Sequence, residues 1–490
     1  MTSFFNSFTP QESLLDMNVS KKKTDIFFQQ FFSTDTLQHK KAVKNIASVH
    51  MDASDFPQLK KSIEWLNWKE KAYLETKKQF IGKLASIPSQ DVSDYLKTLY
   101  FSAGDTVELQ FAALKTLLRQ RTAYAYSVFG QIMQNDPPVL EFSGGGMYSP
   151  RINTGYDWRN NDTYDSDRAN GSFMDNLTDS LPLTAGIFSS LLPLVNIDDY
   201  EQPVMSLMGK LVDSSLVQPS AYAAYLPKLI LEAKQTLKKQ LIREKNIAIE
   251  KLKKDEEDKE PYNRYDRNEE DFGNYRLSLY ATLILPFREQ NPQVQPILQQ
   301  LLQSGDKRLK YNTALLFLRN QLSVPDTLMH YFASLDEFRH ELYDDLHRLG
   351  KTELFPAAYK NQHLHAQSRL TTYQVYGKPD TLVFMQAVPL THKGVEGLVY
   401  VFKYKEKKEE NAWKLATVGM YAKDSTDLHL LKADSDEADE MDLTRLTGTR
   451  LTTETPEKEQ VEKLLKKLLY SRGKSAVRFY EDNNPYGDDI

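Results

Sequence analysis

The sequence predicts a mainly α chain: an α-solenoid of stacked helix pairs, followed by a small α+β module with an antiparallel sheet. Three observations lead there. One helical unit occurs twice: GDTVELQFAALKTLLRQ from Gly104 and GDKRLKYNTALLFLRNQ from Gly305 share Gly, Asp, Ala, Leu, Leu and Gln at matching positions. Recurrence of a helical unit far along a chain is the mark of a repeat array, which cannot bury its apolar faces one repeat at a time. Glycine is scarce, 20 of 490 residues, which favours helices over a turn-rich all-β fold. After Phe355-Pro356 the apolar period shortens to two, with Leu398, Tyr400, Phe402 and Tyr404 alternating with Val399, Val401, Lys403 and Lys405.

The elements follow in order. Residues 1–34 form a Phe-rich segment whose Phe27, Phe28, Phe31 and Phe32 share one helical face, as a terminal helix packing on the first repeat would place them. Residues 35–138 read as helix after helix, with Asp35 and Asp105 as N-caps and connectors of a few residues. Asn135-Asp136-Pro137-Pro138 stops the run. Residues 139–171 are a long polar loop without helical or strand period, of the kind that is functional when ordered. Helices resume over 172–356, interrupted by a loop at 253–271 that carries 14 charges in 19 positions. The spacing predicts a helix over Leu335–Leu349, opened by a capping box of Ser334 and Glu337. Strands are expected at Thr371–Tyr376, Thr381–Leu390, Leu398–Lys405, Trp413–Tyr421 and Ser475–Tyr480. With a helix after Pro456 they make an α+β module over 366–480, before a tail at 481–490.

Composition limits the function classes. A formal charge of −5, from 62 basic and 67 acidic residues, argues against a nucleic-acid binder, which shows a basic excess. Absence of cysteine removes disulfides, thiolate metal ligands and thiol nucleophiles together. The start MTSFFNSFTPQ lacks the basic region and apolar core of a signal peptide, and no run of about 18 apolar residues suggests a membrane span.

The best chemical constellation lies on the helix at 335–349. His340, Asp344 and His347 are spaced i, i+4, i+7 and share a face, opposite Phe338, Leu342 and Leu346. Two imidazoles and a carboxylate suit zinc or another transition metal, so these three are the metal candidates of a metal-dependent hydrolase. The competing reading is that they form the wet side of an amphipathic helix. His363 and His365 read as exposed linker residues. No HExxH, GxSxG or P-loop motif occurs. The loop from Asp157 to Gly171 is acidic, but counting from Asp165 puts Ala169 where an EF-hand needs its third ligand. No catalytic residue, cofactor site or small-molecule site follows from the sequence. Tyr148, Tyr156, Trp158 and Tyr164 in the long loop are the candidate protein-contact anchors, aromatic side chains being favoured at interface centres.

The paired helical units, with Asp before the helix and Ala and Leu inside it, are similar to HEAT-type repeats. Segment 52–87, from DASDFPQLKK to FIGKLASI, with GDTVELQFAALKTLLRQ after it, also resembles the C-terminal repeat region of large bacterial TraB/GumN-like proteins. The resemblance covers about residues 30–350. It implies a non-catalytic region of an extracytoplasmic bacterial protein, since the family's Gly-x-x-His signature has no counterpart here. The resulting expectation is a protein-binding scaffold, an accessory component of a larger assembly.

Overall fold

The structure, a computed structural model, describes residues 23–68, 72–104, 106–140, 172–253, 264–372, 379–392, 394–406, 412–423, 425–431 and 442–472. The chain is mainly helical, with a four-stranded antiparallel sheet toward its C-terminal end. It divides into two compact units, Met1–Leu298 and Gln299–Ile490.

The first unit opens with α1 (Thr24–Phe31), α2 (Thr36–Asn45), α3 (Phe56–Trp65), α4 (Tyr73–Lys83), α5 (Gln90–Ser102), α6 (Val107–Arg119) and α7 (Ala123–Asn135). Asp35, Ser89 and Thr122 cap α2, α5 and α7 by accepting from the backbone N–H of Leu37, Val92 and Ala125, each satisfying an orphan donor of a helix start. Packing is layered: α5 touches α6, while α4 touches α6 and α5 touches α7. Phe27, Phe28 and Phe31 are buried, and Phe31 sits 4.9 Å from the ring of Phe80 on α4. The Phe-rich start is therefore core at these three positions.

Beyond residue 172 come the short helices α8 (Ser172–Asp175), α9 (Leu181–Gly186) and α10 (Phe188–Leu191), then α11 (Asp198–Asp213), α12 (Leu226–Lys253) and α13 (Arg264–Ile284). Gly209 on α11 lets α13 approach closely, because a Cβ there would collide with the Leu279 side chain. The charged stretch read as a loop over 253–271 is shorter than that: Lys253 ends one helix, Arg264 begins the next, and 254–263 lie outside the described residues.

Helix α14 (Val294–Leu302) reaches across the division. In the second unit, α15 (Lys307–Arg319), α16 (Asp326–Ser334), α17 (Arg339–Arg348) and α18 (Gln362–Thr372) precede the sheet. The repeated units do form equal helices, α6 and α15, of 13 residues each. Asp306 caps α15 through the Leu309 N–H, while Asp105 lies outside the described residues. The shared glutamines diverge. Gln120 is buried and joins Ser93 to the Leu84 carbonyl, whereas Gln321 is exposed and accepts from Lys351.

Two expectations fail in this stretch. Helix α17 starts at Arg339 rather than Leu335, without a capping box: the Ser334 hydroxyl donates to the Tyr331 carbonyl, and Glu337 pairs with Lys307. Thr371 and Thr372, read as the start of a strand, end α18; the rest of that segment lies outside the described residues, as does 475–480.

Strands β1 (Thr381–His392), β2 (Val395–Lys405), β3 (Lys414–Tyr421) and β4 (Arg445–Arg450) form a meander in the order β1-β2-β3-β4, and α19 (Glu457–Arg472) follows. Val399, Val401, Leu415 and Met420 face Val461, Leu464, Leu465 and Leu468 of α19. The opposite face, with Tyr400, Phe402, Tyr404 and Val418, packs on Ala366 and Leu370 of α18. Helices thus cover both faces, which explains why the centre of β2 is apolar at successive residues instead of alternating with polar ones.

Candidate functional site

The face of α17 read as solvated is covered by α18. The His340 backbone N–H donates to the Ser368 hydroxyl at 2.9 Å, and His340 Nδ1 lies 3.1 Å from the same oxygen. Ser368 is buried and donates in turn to the Asp336 carbonyl. One turn along, Asp344 Oδ2 accepts from Arg369 at 3.3 Å. Its other oxygen, Oδ1, is 3.9 Å from His365 Nε2 and 3.8 Å from His429 Nε2. His347 is exposed, but its ring packs 4.2 Å from that of His429. The three candidates share a helix without sharing a centre. Among the described residues, no group of three or more His, Asp or Glu side chains is placed to hold a metal ion.

The residues that do meet Asp344 come from elsewhere. His365 and Arg369 are one turn apart on α18, and His429 follows β3. His365, read as an exposed linker residue, has no exposed surface; its Nδ1 lies 3.1 Å from the Tyr421 hydroxyl. Its Nε2 has no hydrogen-bond partner, nor has Asp344 Oδ1. A buried polar atom without a partner carries a desolvation cost of about 1–3 kcal/mol. The two unsatisfied atoms face each other across 3.9 Å.

Burial dominates the electrostatics. It pushes His340 down to about 3, helped by the positive charges of Arg369 and Arg308. Burial likewise holds His365 well below the usual histidine range, with Arg369, His340, His429 and Arg339 adding to the effect. The Asp344 carboxyl is raised by burial, against the pull of Arg369 and His429. The centre is therefore two neutral imidazoles beside a carboxyl group, closed to solvent at His365.

A neighbouring buried cation was not anticipated. Arg339 donates from Nε to the Ala333 carbonyl at 2.6 Å, from Nη2 to Ser334 at 3.1 Å, and from Nη1 to Leu364 at 3.0 Å and Asp336 at 2.6 Å. It thereby satisfies the end of α16 and ties it to α18. The sequence signal was available: a helix ending at Ala333-Ser334 leaves free carbonyls, and an arginine a few residues on is suited to take them.

The loop anchors Tyr148, Tyr156, Trp158 and Tyr164, with the acidic stretch around them, lie outside the described residues. Within those described, two tryptophans are prominently exposed in the first unit: Trp65 at 41% and Trp68 at 77%. Trp65 is held edge-on by Phe31 at 5.6 Å and Phe32 at 6.0 Å, with His39 at 5.7 Å. No described helix is long and apolar enough to cross a membrane. No protein-family model, curated protein or solved structure matches the chain.

Proposed function

We propose that the chain is a non-catalytic scaffold that binds a protein partner, an accessory component of a larger bacterial assembly outside the cytoplasm. The observation that carries this reading is the exposed Trp65/Trp68 pair at the start of a layered helical array. Tryptophan is the residue most enriched among energetically dominant interface positions. Trp65 is already braced by Phe31, Phe32 and His39, so little side-chain freedom is left to lose on binding. The −5 net charge and the layered helices favour a protein over a nucleic acid as partner.

The test is co-purification from the native source, with mass spectrometry of the accompanying proteins and titration of the recovered partner. Trp68→Ala is expected to weaken binding of that partner by about 30-fold, the equivalent of a 2 kcal/mol anchor. Equal affinity of the wild type and of both Trp65→Ala and Trp68→Ala would remove the proposed surface.

A further inference from the structure

Residues 425–431 follow β3 and lie against α17 and α18. Leu428 has no exposed surface and belongs to the apolar cluster that holds Phe332, Tyr343, Leu346 and Phe355. The Gln362 side-chain amide donates to the carbonyls of Ala422, Ser425 and Asp427 at 3.0, 3.2 and 3.0 Å. The Tyr343 hydroxyl donates to Asp427 Oδ1 at 3.3 Å, and His429 Nδ1 lies 2.7 Å from the same oxygen. The His429 ring rests on those of Tyr343 at 5.0 Å and His347 at 4.2 Å. His429 Nε2 approaches Asp344 Oδ1 to 3.8 Å, and the fully buried His365 approaches the same oxygen with its Nε2 at 3.9 Å; neither that Nε2 nor that oxygen has a hydrogen-bond partner. We infer that residues 425–431 form a latch released by acid, with His365 as the proton acceptor and Leu428 as the plug it frees.

The surroundings of His365 decide the sign. Arg369 is on its own helix; Arg339 and His340 face it from α17, His429 from the latch, and the Tyr421 hydroxyl from β3. Asp344 of α17 is the one acid that pairs with it among the described ion pairs. Burial, then the Arg369 guanidinium, disfavours its charged form while the latch is closed. Opening admits water and removes His429, returning His365 toward an ordinary value of about 6.5. Below that pH the open state binds more protons than the closed one, so acid favours opening, by about tenfold per pH unit for one proton. Asp344 works the other way. Burial raises its carboxyl, so its protonation stabilises the closed state and flattens the response at the acid end. The steep window therefore lies below about pH 6.5 and above the range where Asp344 takes up its proton. His340 stays covered by Ser368 and Thr372 of α18 in both states, and His363 stacks on Phe384 and Phe402 of the sheet.

Hydrogen exchange of the full chain, followed by mass spectrometry and corrected for intrinsic rates, tests the latch. Between pH 6.5 and 5.5, protection of peptides covering 425–431 is expected to fall about fivefold, with peptides of α4–α7 unchanged. His429→Gln is expected to lower protection at every pH and keep the slope; His365→Gln is expected to abolish it. A latch equally protected at both pH values, or an unaltered slope in folded H365Q, would overturn the inference. Should H365Q not fold, nitrogen NMR of the wild-type histidines decides instead. A His365 imidazole that stays neutral until the latch opens supports the mechanism, and one titrating near 6.5 with the latch protected refutes it.

Discussion

Arg339→Met is expected to destabilise the 299–490 unit by about 3–5 kcal/mol, because one buried guanidinium serves four acceptors at once. Methionine keeps much of the arginine volume, so the loss reports polar contacts rather than a cavity. The variant leaves the Ala333, Ser334 and Leu364 carbonyls and the Asp336 carboxylate without their shared donor. Each buried acceptor left unpaired costs about 1–3 kcal/mol where water cannot reach it. Tyr359, whose ring lies 5.5 Å from the guanidinium, loses a cation–π partner as well. Urea unfolding followed by near-ultraviolet circular dichroism measures the effect as a lower midpoint at constant slope. A change under 1 kcal/mol would mean that solvent or a neighbouring donor replaces the guanidinium, and that the junction of α16, α17 and α18 is not rigid.

Phe332→Ala is expected to cost a similar 3–5 kcal/mol through a different mechanism. Phe332 has no exposed surface, and its ring meets Tyr311 edge-on at 5.1 Å and Phe338 at 5.4 Å. These aromatics come from α15, α16 and the approach to α17, so truncation opens a cavity where three segments converge. Phe332→Leu refills part of that cavity and is expected to recover more than half of the loss. The same unfolding experiment reads both substitutions. Equal destabilisation by Ala and Leu would show that ring geometry, not volume, sets the stability of this cluster. Tyr311 makes the comparison sharper, since its hydroxyl donates to Asp345 at 2.7 Å and fixes the ring that Phe332 abuts.

Particular residues show where the sequence was legible. β2 and β3 were visible because Leu398–Tyr404 carries Tyr400, Phe402 and Tyr404 among valines and Leu415–Tyr421 is a mostly apolar run. β4 was not, because Arg445–Arg450 is short, polar and charged at both ends, as edge strands often are. α18 was hidden by its composition. QHLHAQSRLTT carries a narrow apolar stripe of Ala366 and Leu370, and its terminal threonines read as strand. Without α18, nothing in the sequence distinguishes His340 and Asp344 from an ordinary wet face. Their covering partners, Ser368, Arg369 and His365, are polar too. Helical periodicity reports apolar burial, so a polar face buried against another polar face leaves no trace in it. A usable signal was the matched spacing: His340 with Asp344, and His365 with Arg369, each one turn apart. The Asp306 cap was legible because it depends on local geometry alone.

Metal content of the purified full chain separates a binding scaffold from a metal-dependent hydrolase most directly. With His340 turned to Ser368 and His347 to His429, α17 offers no shared coordination centre. Elemental analysis is therefore expected to find zinc, iron and manganese well below one equivalent per chain, with no difference between wild type and His340→Ala. One equivalent of a transition metal per chain, lost in folded H340A, would contradict a non-catalytic scaffold.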